Sequence, residues 1–129
     1  MRVIDSSALI KYVVKEEDWE KVEEYIKEGC VTLDLAVKET ANALVKKVFK
    51  DEVDAGTAEE IICRLHGVVR IMPQKEYFSK ALEVALKHKL AIYDGLFIAL
   101  AIGTNMPLLT SDGKQAEVSR QYGVTVILI

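Results

Sequence analysis

"LAIYDGLFIALAIGT", residues 90–104, is nearly all apolar, yet it carries one acid, Asp94, close to its start. Leu96, Phe97, Ile98, Leu100 and Ile102 leave almost no polar side. The segment therefore predicts a helix, and the most buried helix of the chain, because a helix that is apolar all round has to be covered all round. Asp94 has two readings. It is an ordinary acid at a helix start, where it can cap or favour the positive end of the dipole. Or it is one of several carboxylates assembled around a metal ion.

On either side of this segment, short β-like runs alternate with longer helical ones. Residues 2–4 (RVI), 30–33 (CVTL), 68–71 (VVRI), 107–110 (PLLT) and 124–129 (VTVILI) read as strands. Residues 6–14, 19–28, 35–50, 58–66, 76–88 and 113–122 read as helices. Val37, Ala41, Leu44 and Val48 form an apolar stripe on the 35–50 helix. Phe78, Leu82, Ala85 and Leu86 are the expected inner face of the 76–88 helix. Five short strands separated by helices predict an α/β fold of three layers, α/β/α, with a central five-stranded, mostly parallel sheet. No linker, repeat or low-complexity stretch interrupts the pattern, so residues 1–129 read as a single domain. Open α/β sheets bind ligands outside the carboxyl ends of their strands, near a topological switch point. Chemistry is expected there.

A content of 50% hydrophobic residues in 129 allows a sizeable core. Asp5 interrupts the only N-terminal apolar run, which speaks against a secretory signal. No apolar run approaches the ~20 residues that span a bilayer. These features predict a cytoplasmic protein with no membrane partner. Cys30 and Cys63 lack close metal-type spacing and read as reduced, apolar thiols. The net charge of −3 argues on its face against nucleic acid. Its distribution softens that argument. Residues 11–28 hold 4 Lys against 7 acids, which leaves 13 basic and 13 acidic groups in the rest. With four of those acids committed to a metal site, the remaining surface is locally basic.

Four acids fall at one end of the expected sheet. Asp5 follows the first strand directly, and Asp112 follows "PLLT" two residues on. Asp94 starts the buried helix. Glu39 lies in the first turns of its helix, off the apolar stripe, on the side of Asn42, Ala43 and Lys46. Each has an ordinary explanation. Asp5, Asp94 and Asp112 sit where Asp caps helices, and Asp112 with Gln115 spells a capping box. Asp34 reads as a cap and nothing more, and Glu39 alone reads as a solvated helix residue. As a set they read differently. Three or four converging carboxylates repel one another and raise their own pKa values. A cluster of that kind implies a hard cation such as Mg2+, which takes oxygen ligands.

With these motifs in order, the chain resembles a PIN domain, and specifically the small single-domain VapC-like toxins. "VIDSSALI" is similar to the opening strand with its metal-binding Asp and adjacent hydroxyl, here Asp5 and Ser6. "KETANALVKK" resembles the Glu-x-x-Asn-x-Leu helix, which corresponds to Glu39 and Asn42. "YDGLFIALA" resembles the buried helix that supplies Asp94, and "LLTSD" the strand ending in Thr-x-Asp, with Thr110 and Asp112. The resemblance implies a PIN-fold ribonuclease that cleaves RNA with Mg2+ or Mn2+. It implies Asp5, Glu39, Asp94 and Asp112 as the catalytic and metal-binding acids, supported by Ser6, Asn42 and Thr110. It also implies a homodimer and a cognate antitoxin that blocks the site. One departure stands out. Many relatives carry a further acid soon after Thr-x-Asp, whereas Gly113, Lys114, Gln115 and Ala116 follow here.

Lys38, Lys46 and Lys47, on the helix that bears Glu39, are candidate contacts for RNA phosphates. They read equally well as a solvated helix face. His66 and His88 sit near helix ends, where cationic side chains are common, and are assigned no chemistry. Three further readings compete. A receiver-type phosphoacceptor needs an Asp at the end of the central strand; with "VVRI" as that strand, Met72–Pro73 follows instead. A dehalogenase-like phosphatase needs a second Asp two residues after Asp5, where Ser7 stands. The last is a PIN-like domain that binds RNA or protein without cleaving.

Overall fold

The computed structural model describes residues 1–129. Five strands, β1 (Arg2–Ile4), β2 (Cys30–Leu33), β3 (Arg70–Met72), β4 (Leu108–Thr110) and β5 (Val126–Leu128), form one sheet in the order β3-β2-β1-β4-β5. All four strand pairs are parallel. The helices are α1 (Ser6–Val13), α2 (Trp19–Glu28), α3 (Asp34–Phe49), α4 (Ala55–Val68), α5 (Phe78–His88), α6 (Ile92–Thr104) and α7 (Gly113–Gln121). A single 3-10 turn at Lys75–Tyr77 leads into α5.

The chain steps outward from β1 through β2 to β3, then returns past β1 to lay down β4 and β5. Parallel crossovers are right-handed, so this reversal puts α1–α4 on one face and α5–α7 on the other. The result is the expected three-layer sandwich. β1 and β4 lie side by side, with Val3 against Leu108 and Ile4 against Leu109. The chain leaves them in opposite directions, so the switch point, where open α/β sheets bind ligands, lies at their carboxyl ends.

The stretch from Gly95 to Ala101 in α6 is buried without interruption. Its largest members, Phe97, Ile98 and Leu100, are at most 1% exposed. Each such side chain contributes roughly 1.5–3 kcal/mol over leaving it in water. Leu96, Phe97 and Leu100 join the main core with Val3, Ile4, Leu108 and Leu109, while Ile98 faces Val84 and Val118 on α5 and α7. Gly95 permits this packing. A Cβ there would lie 2.6 Å from the Ala81 carbonyl oxygen on α5.

Several sequence expectations need correction. α5 is turned from the expected face: Ala85 is buried as expected, but with Ala81 and Val84 beside it, while Phe78, Leu82 and Leu86 are 45%, 53% and 73% exposed. The close approach of α5 to α6 admits only small residues, so the large ones turn outward. Helix α4 runs on to Val68, and β3 begins only at Arg70. Only Arg70 and Ile71 of "VVRI" therefore lie in a strand, and that strand is at the sheet edge. β1 is the central strand, and it is followed by Asp5, so the stated objection to a receiver domain rested on the wrong strand. The topology excludes that fold by another route, since receivers have strand order 2-1-3-4-5. Asp34 does not cap α3, whose N-cap is Leu33; it pairs with Lys38 at 3.1 Å.

Candidate metal centre

The carboxyl ends of β1 and β4 gather oxygen-bearing side chains. Asp5 caps α1 and is fully enclosed. Its Oδ1 accepts from the Ala8 backbone N–H at 3.0 Å and from Ser7 Oγ at 2.7 Å. Its Oδ2 accepts from Thr110 Oγ1, at the last residue of β4, at 2.5 Å. Burial raises the Asp5 pKa to about 6 against the pull of these three donors, and the nearby Asp112 charge adds to the rise. Ser7 also receives the Ser111 N–H at 2.9 Å, which pins the loop after β4 to the start of α1.

Asp112 caps α7 by accepting from the N–H groups of Lys114 and Gln115. The reciprocal half of the expected capping box is absent. The Asp112 N–H donates instead to Thr110 Oγ1 at 3.0 Å, and the Gln115 side chain turns away. Its Nε2 donates to Asp94 Oδ1 at 2.9 Å. Asp94 is the third residue of α6 and makes no cap; the N-cap is Ala91. Half burial, the Asp112 charge and, more weakly, the Glu39 charge raise the Asp94 pKa, while the Gln115 hydrogen bond lowers it. Glu39 stands exposed on α3, held by Ser6 Oγ, which donates to its Oε1 at 2.6 Å.

Thr110 and Gln115 thus link Asp5, Asp112 and Asp94 at the switch point, and Glu39 reaches the same end of the sheet on Ser6, the residue after Asp5. None takes part in any of the seven ion pairs of the molecule. Burial first, and then the neighbouring charges, raise the pKa of Asp5 and Asp94, an electrostatic condition that a cation relieves. No three His, Cys, Asp or Glu side chains converge tightly enough to hold an ion by themselves. Mg2+ commonly takes only one or two carboxylates and completes its shell with waters and substrate phosphate. The donor set is all oxygen, and Gln115 Oε1 is buried beside it with no partner. These residues fit a hard divalent cation.

The other expected residues lie nearby in part. Thr110 and Ser6 bond directly to the acids. Asn42 is exposed and takes no part in the network. Lys38 is tied to Asp34, and Lys47 to Glu52 at 2.7 Å. Lys46 is exposed, two turns along α3 from Glu39 and so on the same side. His88 meets Tyr122 instead, with Nε2 3.1 Å from the phenol oxygen. Ser7 and Gln115 were missed as site residues. Ser7 could have been read from the doubled hydroxyl of "DSS". Gln115 could have been read from its spacing: three residues past Asp112, it shares that helix face.

A family model described as PIN domain matches residues 2–121. The chain is 32% identical over 120 residues to a Pyrobaculum aerophilum protein named Ribonuclease VapC3, a match spanning 89% of this chain and 92% of that protein. Among solved structures it is similar to PAE2754 from Pyrobaculum aerophilum, with a TM-score of 0.74 at 22% identity over 97% of this chain and 89% of that one. It is also similar to FitAcB from Neisseria gonorrhoeae, with a TM-score of 0.67 at 16% identity over 98% and 96% of the two chains. At those identities the likeness is one of fold. No helix is long and apolar enough to cross a membrane.

Proposed function

The chain belongs to the PIN domain family, and on that premise we propose that it is a Mg2+- or Mn2+-dependent endoribonuclease, the toxin of a VapBC-type toxin–antitoxin pair. One observation carries the reading: Asp5, Asp112 and Asp94 are linked through Thr110 and Gln115 at the switch point, Glu39 is held beside them by Ser6, and no Lys or Arg pairs with any of the four. The relative named Ribonuclease VapC3 supports the substrate class.

Hydrolysis of a phosphodiester joins a water oxygen to phosphorus and releases one ribose oxygen. Asp5, Glu39, Asp94 and Asp112 would hold the ion, which when bound supplies charge for the phosphoryl oxygens and acidity for a water. Thr110 and Ser7 keep Asp5 in one orientation, and Ser6 does so for Glu39. No His is required. Lys46, with Lys38 and Lys47 when they leave their acidic partners, meets RNA phosphates.

The partners follow the same reading. A cognate antitoxin covers the acidic cluster. A second copy covers the outward apolar row of α5, Phe78, Leu82 and Leu86, whose exposure calls for a cover. Light scattering tests the dimer: Leu82→Glu with Leu86→Glu yields monomers, and an unchanged mass removes that surface. The main test is cleavage of RNA with Mg2+ or Mn2+ by wild type and Asp94→Asn. Equal activity in the two sinks the assignment. Tight RNA binding without cleavage in any divalent ion would favour a non-catalytic PIN-like domain.

A further inference from the structure

Five buried side-chain atoms lack a hydrogen-bond partner, and of these residues only Gln115 touches an acid with its side chain. Gln115 is 4% exposed. Its backbone N–H donates to Asp112 Oδ1 at 3.1 Å, and its Nε2 donates to Asp94 Oδ1 at 2.9 Å. One residue therefore ties an acid on α6 to an acid at the start of α7. A carboxylate only accepts hydrogen bonds, so the amide nitrogen has to face Asp94 and the amide oxygen is left over. Native folds leave few buried oxygens unpaired, and one that lies against an acidic cluster calls for an explanation, of which a bound ion is one. Capping does not explain this arrangement, because the capping-box contact back to the Asp112 N–H is not made.

We propose that Gln115 is a positioning residue of the cation site: its Nε2 orients Asp94, and its Oε1 supplies a neutral fifth oxygen beside the four carboxylates. The inference rests on the metal site of the ribonuclease reading. Its logic is electrostatic. Four carboxylates already outweigh one divalent cation, so a further acid would add repulsion where an amide oxygen adds only a dipole. The amide also does what a carboxylate cannot, since it donates to Asp94 while offering oxygen to its other side.

The test uses the full-length protein stripped with EDTA and titrated with Mn2+, with free ion followed by electron paramagnetic resonance and melting recorded with and without the ion. Gln115→Met keeps the length of the side chain and removes both donor and oxygen. Its Mn2+ dissociation constant should rise about tenfold or more, the usual effect of losing a residue that orients a ligand. Its metal-free Tm should stay within about 2 °C of wild type. An unchanged Mn2+ affinity with a lowered metal-free Tm marks a merely structural residue and overturns the proposal. Gln115→Glu keeps an oxygen on the same stem. It should bind Mn2+ at least as tightly as wild type while its metal-free Tm falls, because another carboxylate now faces Asp94 and Asp112. Weaker binding by Gln115→Glu overturns the proposal. A wild type that binds no Mn2+ overturns the metal site itself. A wild type that binds Mn2+ and cleaves RNA, beside a Gln115→Met that binds equally well, overturns only the role of Gln115.

Discussion

The two halves of the acidic cluster are built differently. The strand half, Asp5 with Ser7, Thr110 and Asp112, sits on the ends of β1 and β4. Asp5 alone accepts three hydrogen bonds inside a site closed to water. The helix half, Asp94 and Glu39, projects from α6 and α3. Each of these acids is held by one side-chain donor, Gln115 or Ser6, and each remains partly open to solvent. The strand half therefore doubles as structure: it joins two central strands, caps two helices and seals the loop after β4. The helix half makes no comparable contribution to the fold, and its purpose has to be sought in what it faces.

Replacing one acid from each half gives the largest contrast. Asp5→Ala should abolish RNA cleavage and also cost about 2–4 kcal/mol of stability, from a lost cap and buried donors left without an acceptor. Asp94→Asn should lower cleavage by at least about 100-fold. Its metal-free melting temperature should stay level or rise, because the amide still accepts from Gln115 and no longer repels Asp112 and Glu39. Thermal melts beside a cleavage assay separate the two outcomes. Similar stability losses in both variants would erase the distinction between the halves.

Proton binding sharpens the same contrast. The Asp5 pKa is raised from 3.8 to about 6 by burial, so the folded protein holds this proton more tightly than the unfolded chain does. Stability from this group is complete below about pH 4 and is lost as pH rises through about 6. The shift corresponds to about 3 kcal/mol in the metal-free protein. Other carboxylates run the other way: Asp54, hydrogen-bonded to Thr57, is held below its ordinary value. The measurement is therefore the difference between wild type and Asp5→Asn in urea unfolding from pH 4 to 7 in EDTA. The variant should gain on the wild type across that window, and parallel curves would remove the buried charge from the account.

A smaller effect reaches the helix half through the backbone. Gly95 follows Asp94, and an added Cβ there meets the Ala81 carbonyl at 2.6 Å. Gly95→Ala should cost about 1–3 kcal/mol of overpacking, less the ~1 kcal/mol that Ala gains in a helix. A lowered Tm is expected, and a raised one would mean that α5 yields easily.

The same junction explains what could be read from the sequence. The burial of α6 was legible because Leu96, Phe97, Ile98, Leu100 and Ile102 leave no polar side to expose. The inner face of α5 was legible only at Ala85. Phe78, Leu82 and Leu86 form the stronger apolar row, and a pattern rule turns that row inward. The fold turns it outward, because Gly95 brings α6 so near that only Ala81, Val84 and Ala85 fit between. Helix-to-helix distance is a tertiary quantity that periodicity does not carry. The acids were legible from their positions at strand and helix ends. Their connections were less so. Asp112 with Gln115 spelled a local cap, and only the fold brings Asp94 close enough to take the Gln115 amide. The Asp94 cap was misread for a plainer reason: α6 starts at Ile92, two residues before it.

Ser6 belongs to both halves and provides the smallest and most discriminating test. It follows Asp5 at the start of α1, yet its hydroxyl crosses to Glu39 on α3 at 2.6 Å. Removing it leaves every contact of Asp5, Thr110 and Asp112 in place and frees only the Glu39 side chain. Glu39 is exposed, so water takes over the lost bond and stability should change by under about 1 kcal/mol. The effect should appear in cleavage instead, because a carboxylate free to rotate has to be ordered again each time an ion binds. Ser6→Ala should lower kcat/KM by several-fold, and little further once Glu39→Gln has removed the charge. A double-mutant cycle measures this directly. A coupling near zero would mean that Ser6 serves α1 alone, and that the strand half does not help to arrange the helix half.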